Sequence, residues 1–176
     1  MTRTKQEIEK RAEQTLRETD TYRVPVAIEV LAHRLKLSTQ ASPLGDNVSG
    51  VLVVENGRGA IGYNSDHAHV RQRFTIAHEI GHYLLHVKQN RQSQLFIDRY
   101  VAFRSDAVPA TGNDRDEVEA NRLGAALLMP ESLVREQINK LDLDLDDDEA
   151  VTLLAKQFQV STSAMTNRLT NLGLLR

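Results

Sequence analysis

Cysteine is absent from this 176-residue chain. That excludes a disulfide framework and any thiolate-ligated metal, and it fits a reducing cytosol. No apolar run approaches the roughly 20 residues that a membrane-spanning helix needs. The opening stretch MTRTKQEIEKRAEQ lacks the apolar centre of a secretory signal. These features together predict a cytoplasmic protein with no membrane partner. Charge of one sign is also missing. The formal net charge is only −2, so composition gives no reason to expect a nucleic-acid partner. Internal repeats are absent too.

What remains is a chain with enough apolar content, 40%, for a packed core. Its length suits one domain, alone or with a small appendage. Residues 4–19 carry Ile8, Ala12 and Leu16 at intervals of four among charged neighbours, which predicts an amphipathic helix. A second helix is expected from Pro25, through Ile28, Leu31 and Leu35. Between residues 37 and 64 the pattern changes to β-branched residues set among glycines. It predicts two or three short strands with a turn at Asn56-Gly57. Residues 67–86 read as a helix. Gln94 to Phe103 fits either helix or strand, and Ala107 to Asp114 reads as a loop around Pro109 and Gly112. Helices are expected over 115–128, 131–139, 149–158 and 162–171. Helix, helix, small sheet and then helices make an α+β fold. The chain divides into an N-terminal helix (1–24), a core (25–140) and a C-terminal helical subdomain with a helix-turn-helix character (141–176).

The most informative stretch is His78-Glu79-Ile80-Gly81-His82, an H-E-x-x-H motif within a helical pattern. Residues four apart lie one turn above each other on one helix face, so both imidazoles can close on one tetrahedral zinc ion. Glu79 is then placed to act as the general base. The flanking residues Phe74 to Ala77 and Tyr83 to Leu85 carry no charge. A charged triplet in such a setting must be paired or metal-bound.

A catalytic zinc needs a third protein ligand, with the fourth position left open. The extension H-E-x-x-H-x-x-G-x-x-H fails here, because Leu85 and Lys88 occupy its glycine and histidine positions. His86 lies a turn too far along and reads as a helix-end or surface histidine. A carboxylate on the 115–128 helix is the better candidate. On a helical wheel Glu117 joins the stripe of Asn121, Gly124 and Leu128, whereas Glu119 points to the other side and toward solvent. Glu117 is therefore the expected third metal ligand, and Asn121 can hydrogen-bond a ligating histidine. Ala120 and Gly124 are small enough to let the two helices approach closely.

The segments RQRFTIAHEIGHYLLH (71–86) and EVEANRLGAALLMP (117–130) resemble the ImmA/IrrE family of small zinc-dependent metallopeptidases. So do VSGVLVV (48–54) and VSTSAMTNRLTNLGLL (160–175). The likeness extends over nearly the whole chain from Pro25. It implies a zincin-like metallopeptidase core, with a small twisted sheet packed on the H-E-x-x-H helix. It also implies zinc as cofactor, His78, His82 and Glu117 as its ligands, and Glu79 as catalytic base. Leu123-Gly124 departs from the Phe-Ala common in the family, which changes the packing behind the site. The resemblance further implies cleavage of a partner repressor with an Xre-type helix-turn-helix, releasing mobile-element or stress-response genes. Fewer than 25 residues precede Pro25, too few for such a DNA-binding domain, so the repressor is expected to be a separate chain.

Several points stay open in the sequence. Tyr63, Tyr83 and His86 are each candidates for a second oxyanion donor. The Ser49 to Val54 strand reads equally as an edge that pairs with an extended substrate or as an ordinary core strand. Asn167 and Arg168 are expected on an exposed docking surface formed by residues 131–176. Two rival functions stay open: a metal-bound adaptor that binds its repressor without cutting it, with the same ligands, and a DNA-binding regulator acting through the helix-turn-helix-like stretch Leu153 to Leu174. Against the latter, residues 141–176 hold more acidic than basic side chains.

Overall fold

The structure is a computed structural model that describes residues 3–55, 58–87, 94–99, 112–145 and 147–175. The element order is α1 (Lys5–Glu18), α2 (Ile28–Arg34), β1 (Leu37–Ser42), β2 (Val48–Glu55), β3 (Arg58–Asn64), α3 (His69–Leu85), β4 (Gln94–Arg99), α4 (Gly112–Leu128), α5 (Glu131–Leu141), α6 (Asp148–Phe158) and α7 (Thr162–Asn171). This is the expected α+β arrangement. The Asn56-Gly57 turn and most of the 107–114 loop fall outside the described residues. Where the open segment after α3 is described, it is a strand.

Local chemistry accounts for the helix ends. Thr4 caps α1 in a capping box with Glu7, each side chain bonding the other's backbone N–H. Ile8, Ala12 and Leu16 are then buried, as their spacing requires. Asp147 and Ser161 cap α6 and α7. Left-handed Asp142 and Gln159 close α5 and α6. Pro25 does not start α2; it lies in the turn before it, and the helix begins at Ile28. α4 begins at Gly112 rather than 115.

The four strands are ordered β1-β3-β2-β4, with β1 parallel to β3 and the other pairs antiparallel. β2 is therefore paired on both sides. The edge-strand reading of Ser49 to Val54 does not hold, and the edge beyond β2 is β4. One sheet face carries buried Gly50, Leu52, Val54 and Ile61 and packs on α3. On the other, Ser38, Val53, Glu55, Arg58 and Ala60 are exposed. That alternation is the period-two signature of a half-covered sheet. Buried Asn64 ties the sheet to the loop before β2, donating from Nδ2 to the carbonyls of Gly45 (2.8 Å) and Val48 (3.0 Å).

α3 is the central element, with Thr75 to His82 buried without a break. The sheet covers one side and α4 the other, and α1 packs on the far side of α4. A single hydrophobic cluster runs from Ile8 of α1 through Ile76 and Ile80 of α3 to Met165 and Leu169 of α7.

Two buried arginines join the terminal helices to this core. Arg73 donates to the carbonyls of Val26 (2.9 Å) and Gln159 (3.1 Å). Arg168 donates to the Met129 carbonyl (2.9 Å) and, bidentately, to both carboxylate oxygens of Glu9 (2.5 and 2.7 Å). The expectation of an exposed Arg168 is thus corrected: it is only 5% exposed and is committed to α1 and the end of α4, whereas Asn167 is exposed. Removing one member of such a buried pair leaves the other charge uncompensated. Arg168→Ala should therefore lower the unfolding free energy by about 3 kcal/mol, read as a fall in the chemical-denaturation midpoint; a change below 1 kcal/mol would contradict this account of the junction.

Candidate metal centre

α3 supplies three polar side chains to its buried middle. His78 and His82 are each 2% exposed and Glu79 is fully buried. The helical repeat sets the two imidazoles one turn apart, with ring centroids at 4.6 Å and planes nearly perpendicular. Their Nε2 atoms stand 3.0 Å apart. α4 brings Glu117 across to them: Oε2 is 3.2 Å from His78 Nε2 and Oε1 is 3.2 Å from His82 Nε2. Burial opposes charge on Glu117, but its contacts with His78 and then His82 outweigh this and hold its carboxyl well below the ordinary range. The group is a carboxylate at neutral pH, as a metal ligand must be.

The donor set fits zinc. Two imidazole nitrogens and one carboxylate oxygen are a known catalytic combination. With metal–ligand bonds of about 2.0–2.1 Å, neighbouring donors of a tetrahedral site stand ~3.3 Å apart. The two imidazole nitrogens, 3.0 Å apart, lie close to that edge; each carboxylate oxygen faces one of them at 3.2 Å, and with one donor atom per residue all three donors lie within 4.8 Å of one another. Among the described residues this is the one His, Cys, Asp and Glu cluster able to hold an ion.

The surroundings orient the donors. His78 Nδ1 stands 2.9 Å from Asn121 Oδ1; an amide oxygen only accepts, so this contact suits the tautomer that carries its proton on Nδ1 and offers Nε2 to a metal. Asn121 lies one turn beyond Glu117, so one face of α4 carries both the carboxylate and the group that orients the imidazole. From the other side, β2 packs its backbone on Glu79. A Cβ on Gly50 would stand 2.8 Å from Glu79 Oε1 and 2.4 Å from Thr75 Cγ2, so only glycine allows this approach. The bulge between Val48 and Gly50 sets this register.

Helix packing behind the site depends on two more glycines. A Cβ on Gly81 would come within 2.6 Å of the Ala120 carbonyl, and one on Gly124 within 3.1 Å of Ala77 C and His78 N. α3 and α4 are therefore in backbone contact beside the histidines. Gly124, the departure from the family's common alanine, is part of this contact. Gly81, an unspecified position of the motif, is the residue that motif reading alone passes over.

Other sequence-derived assignments come out differently. Glu119 does not face solvent; it is 4% exposed and paired with Arg3, while the Glu117 side chain is about half exposed at the site. α1 covers the face of α4 that a wheel with a single partner leaves to water. His86 is indeed the C-cap residue of α3. Its ring is engaged by Asp116, at 3.0 Å from the carbonyl and 3.5 Å from Oδ1. Burial lowers its pKa, against the opposing pull of Asp116. Tyr63 is the register partner of Gly50, at the Glu79 end of the sheet, whereas Tyr83 lies against Gly59.

A small α+β fold that presents two helical histidines and a carboxylate around a buried glutamate has the arrangement of a metallopeptidase. Residues 28–170 match the Peptidase M78 model, the IrrE N-terminal-like domain. A 100-residue stretch, 57% of the chain, is 35% identical to the Radiation response metalloprotease IrrE of Deinococcus radiodurans. It spans 27% of that protein's length. The chain belongs to the IrrE-like metallopeptidase family.

If Asn121 holds His78 in its ligating tautomer, Asn121→Leu should weaken zinc binding by about tenfold or more, and Asn121→Asp should retain it, because a carboxylate oxygen can accept the same bond. Competition against a chromogenic chelator measures both; equal affinity of the leucine variant and wild type would remove this role.

Proposed function

We propose that the chain is a zinc-dependent endopeptidase whose substrate is a separate helix-turn-helix repressor of the Xre type. The observation that carries the peptidase reading is the convergence of His78, His82 and Glu117, whose ligand atoms lie within 4.8 Å of one another, on the helix that carries fully buried Glu79. A zinc ion bound there supplies Lewis acidity toward a peptide carbonyl and toward water. His78 and His82 hold it through Nε2, and Glu117 through its carboxylate. Glu79 accepts the proton of the attacking water on its carboxylate and delivers it to the leaving amine nitrogen. The Gly50 backbone against Glu79 keeps that carboxylate from swinging toward the sheet. No helix among the described residues is long and apolar enough to cross a membrane.

The repressor is the finer part of the proposal and rests on the family. The relative's name ties an IrrE protein to a radiation response. We extend to this chain a role in derepressing stress-response or mobile-element genes. Selectivity for one substrate requires contacts beyond main-chain pairing. The outer face of α6 and α7, with Leu153 and Asn167 exposed, is the docking surface we assign. Direct DNA binding is disfavoured by the same helices. Of the basic residues after position 140, Arg168 is buried against Glu9 and has no charge to offer a phosphate.

Incubation of the pure protein with a repressor encoded nearby, with and without chelator, tests the reading. Cleavage should require zinc. Glu79→Gln should keep one zinc per chain and the wild-type fold while losing turnover by at least about a hundredfold. His78→Ala, His82→Ala and Glu117→Ala should lose the metal itself. Repressor cleavage by Glu79→Gln at near wild-type rate would sink the mechanism. Zinc-dependent binding without cleavage by wild type would select the adaptor role instead.

A further inference from the structure

The two ligand-bearing helices are in backbone contact at Gly81 and Gly124. Glu117, the α4 donor, lies N-terminal to both Ala120 and Gly124, where α4 runs beyond this glycine contact. At that end a different residue joins the helices. Arg3 donates from Nη1 to Glu119 Oε2 at 2.7 Å and from its backbone N–H to Glu119 Oε1 at 2.8 Å. Its Nη2 donates to the Leu85 carbonyl at 2.8 Å. Leu85 is the last residue of α3, three after His82, and its carbonyl is one that the helix itself leaves without a donor. Glu119 is two residues after Glu117 and is 4% exposed.

One side chain therefore bridges the end of the helix that carries both histidines and the turn of the helix that carries the glutamate. Arg3 is itself held in place: it directly precedes the Thr4–Glu7 capping box, and the α1 that follows packs on α4.

We propose that Arg3 and Glu119 are positioning residues of the metal centre. They set the distance of Glu117 from His78 and His82, and so the zinc affinity, without touching the ion. The proposal rests on the metal reading given above. An ion pair with one side chain 41% exposed adds little to global stability, so a purely structural role and a positioning role predict different readouts.

The test is zinc affinity of the full chain, by competition with a chromogenic chelator, alongside the thermal midpoint of the zinc-free protein. Removal of an interaction that orients metal ligands typically weakens binding tenfold to a hundredfold. Arg3→Ala and Glu119→Ala should each weaken zinc by about tenfold, and the double variant by no more than either, since both remove one bridge. Arg3→Lys keeps the charge but cannot reach Glu119 and Leu85 together, and should fall between Arg3→Ala and wild type. Glu9→Ala, which breaks the Arg168 pair at the opposite side of α1, should lower the thermal midpoint and leave zinc affinity unchanged. Wild-type affinity in Arg3→Ala and Arg3→Lys would overturn the proposal. So would an equal loss in Glu9→Ala, which would show general loosening. Failure of wild type to bind zinc would instead refute the metal reading itself.

Discussion

Backbone contact between α3 and α4 is the constraint on which the rest depends. Gly81 meets the main chain of Ala120, and Gly124 meets that of Ala77 and His78. A Cβ at Gly81 would meet the Ala120 carbonyl at 2.6 Å and push the helices apart, whereas one at Gly124, at 3.1 Å, would need a shift of only a few tenths of an ångström. Three donor atoms must meet within a few ångströms, and two come from one helix and the third from the other. The spacing of His78 and His82 follows from the helical repeat alone. The approach of Glu117 follows from the glycines and from the bridge of Arg3 to Glu119 and Leu85.

The same closeness shapes the environment of Glu79. α4 occupies one side of α3, so the sheet has to cover the other, and the middle of α3 is left with no solvent face. Gly50 in β2 then packs directly on the Glu79 carboxylate. A buried carboxylate is costly unless its surroundings are polar or charged. Its place in the helix, between the two histidines of the motif, is the setting expected of a proton acceptor at a metal site.

Charge also organises the periphery. Arg73 and Arg168 are nearly inaccessible to water, and each joins segments far apart in sequence: Arg73 the turn before α2 and the end of α6, Arg168 the end of α4 and α1. Burial lowers the pKa of Arg73, against the pull of Glu29, and the two carbonyls take bonds from Nε and Nη2. In the α6–α7 pair Arg168 is a structural anchor, committed to Glu9 and the Met129 carbonyl.

The sequence by itself determined whatever depends on local periodicity. The amphipathic spacing of Ile8, Ala12 and Leu16, the H-E-x-x-H turn and the Glu117–Asn121 stripe are all functions of a 3.6-residue repeat, and all are found in the fold. Tertiary structure decided what depends on how many neighbours an element has. Glu119 is buried because α1 covers a face of α4 that a one-partner wheel leaves open. β2 is an inner strand because β4, forty residues later in the chain, pairs with it. Arg168 is internal because Glu9, near the other end of the chain, and the Met129 carbonyl, just after α4, both meet it. No local pattern carries that information, because burial is a property of the contacts an element makes and not of the residues it contains.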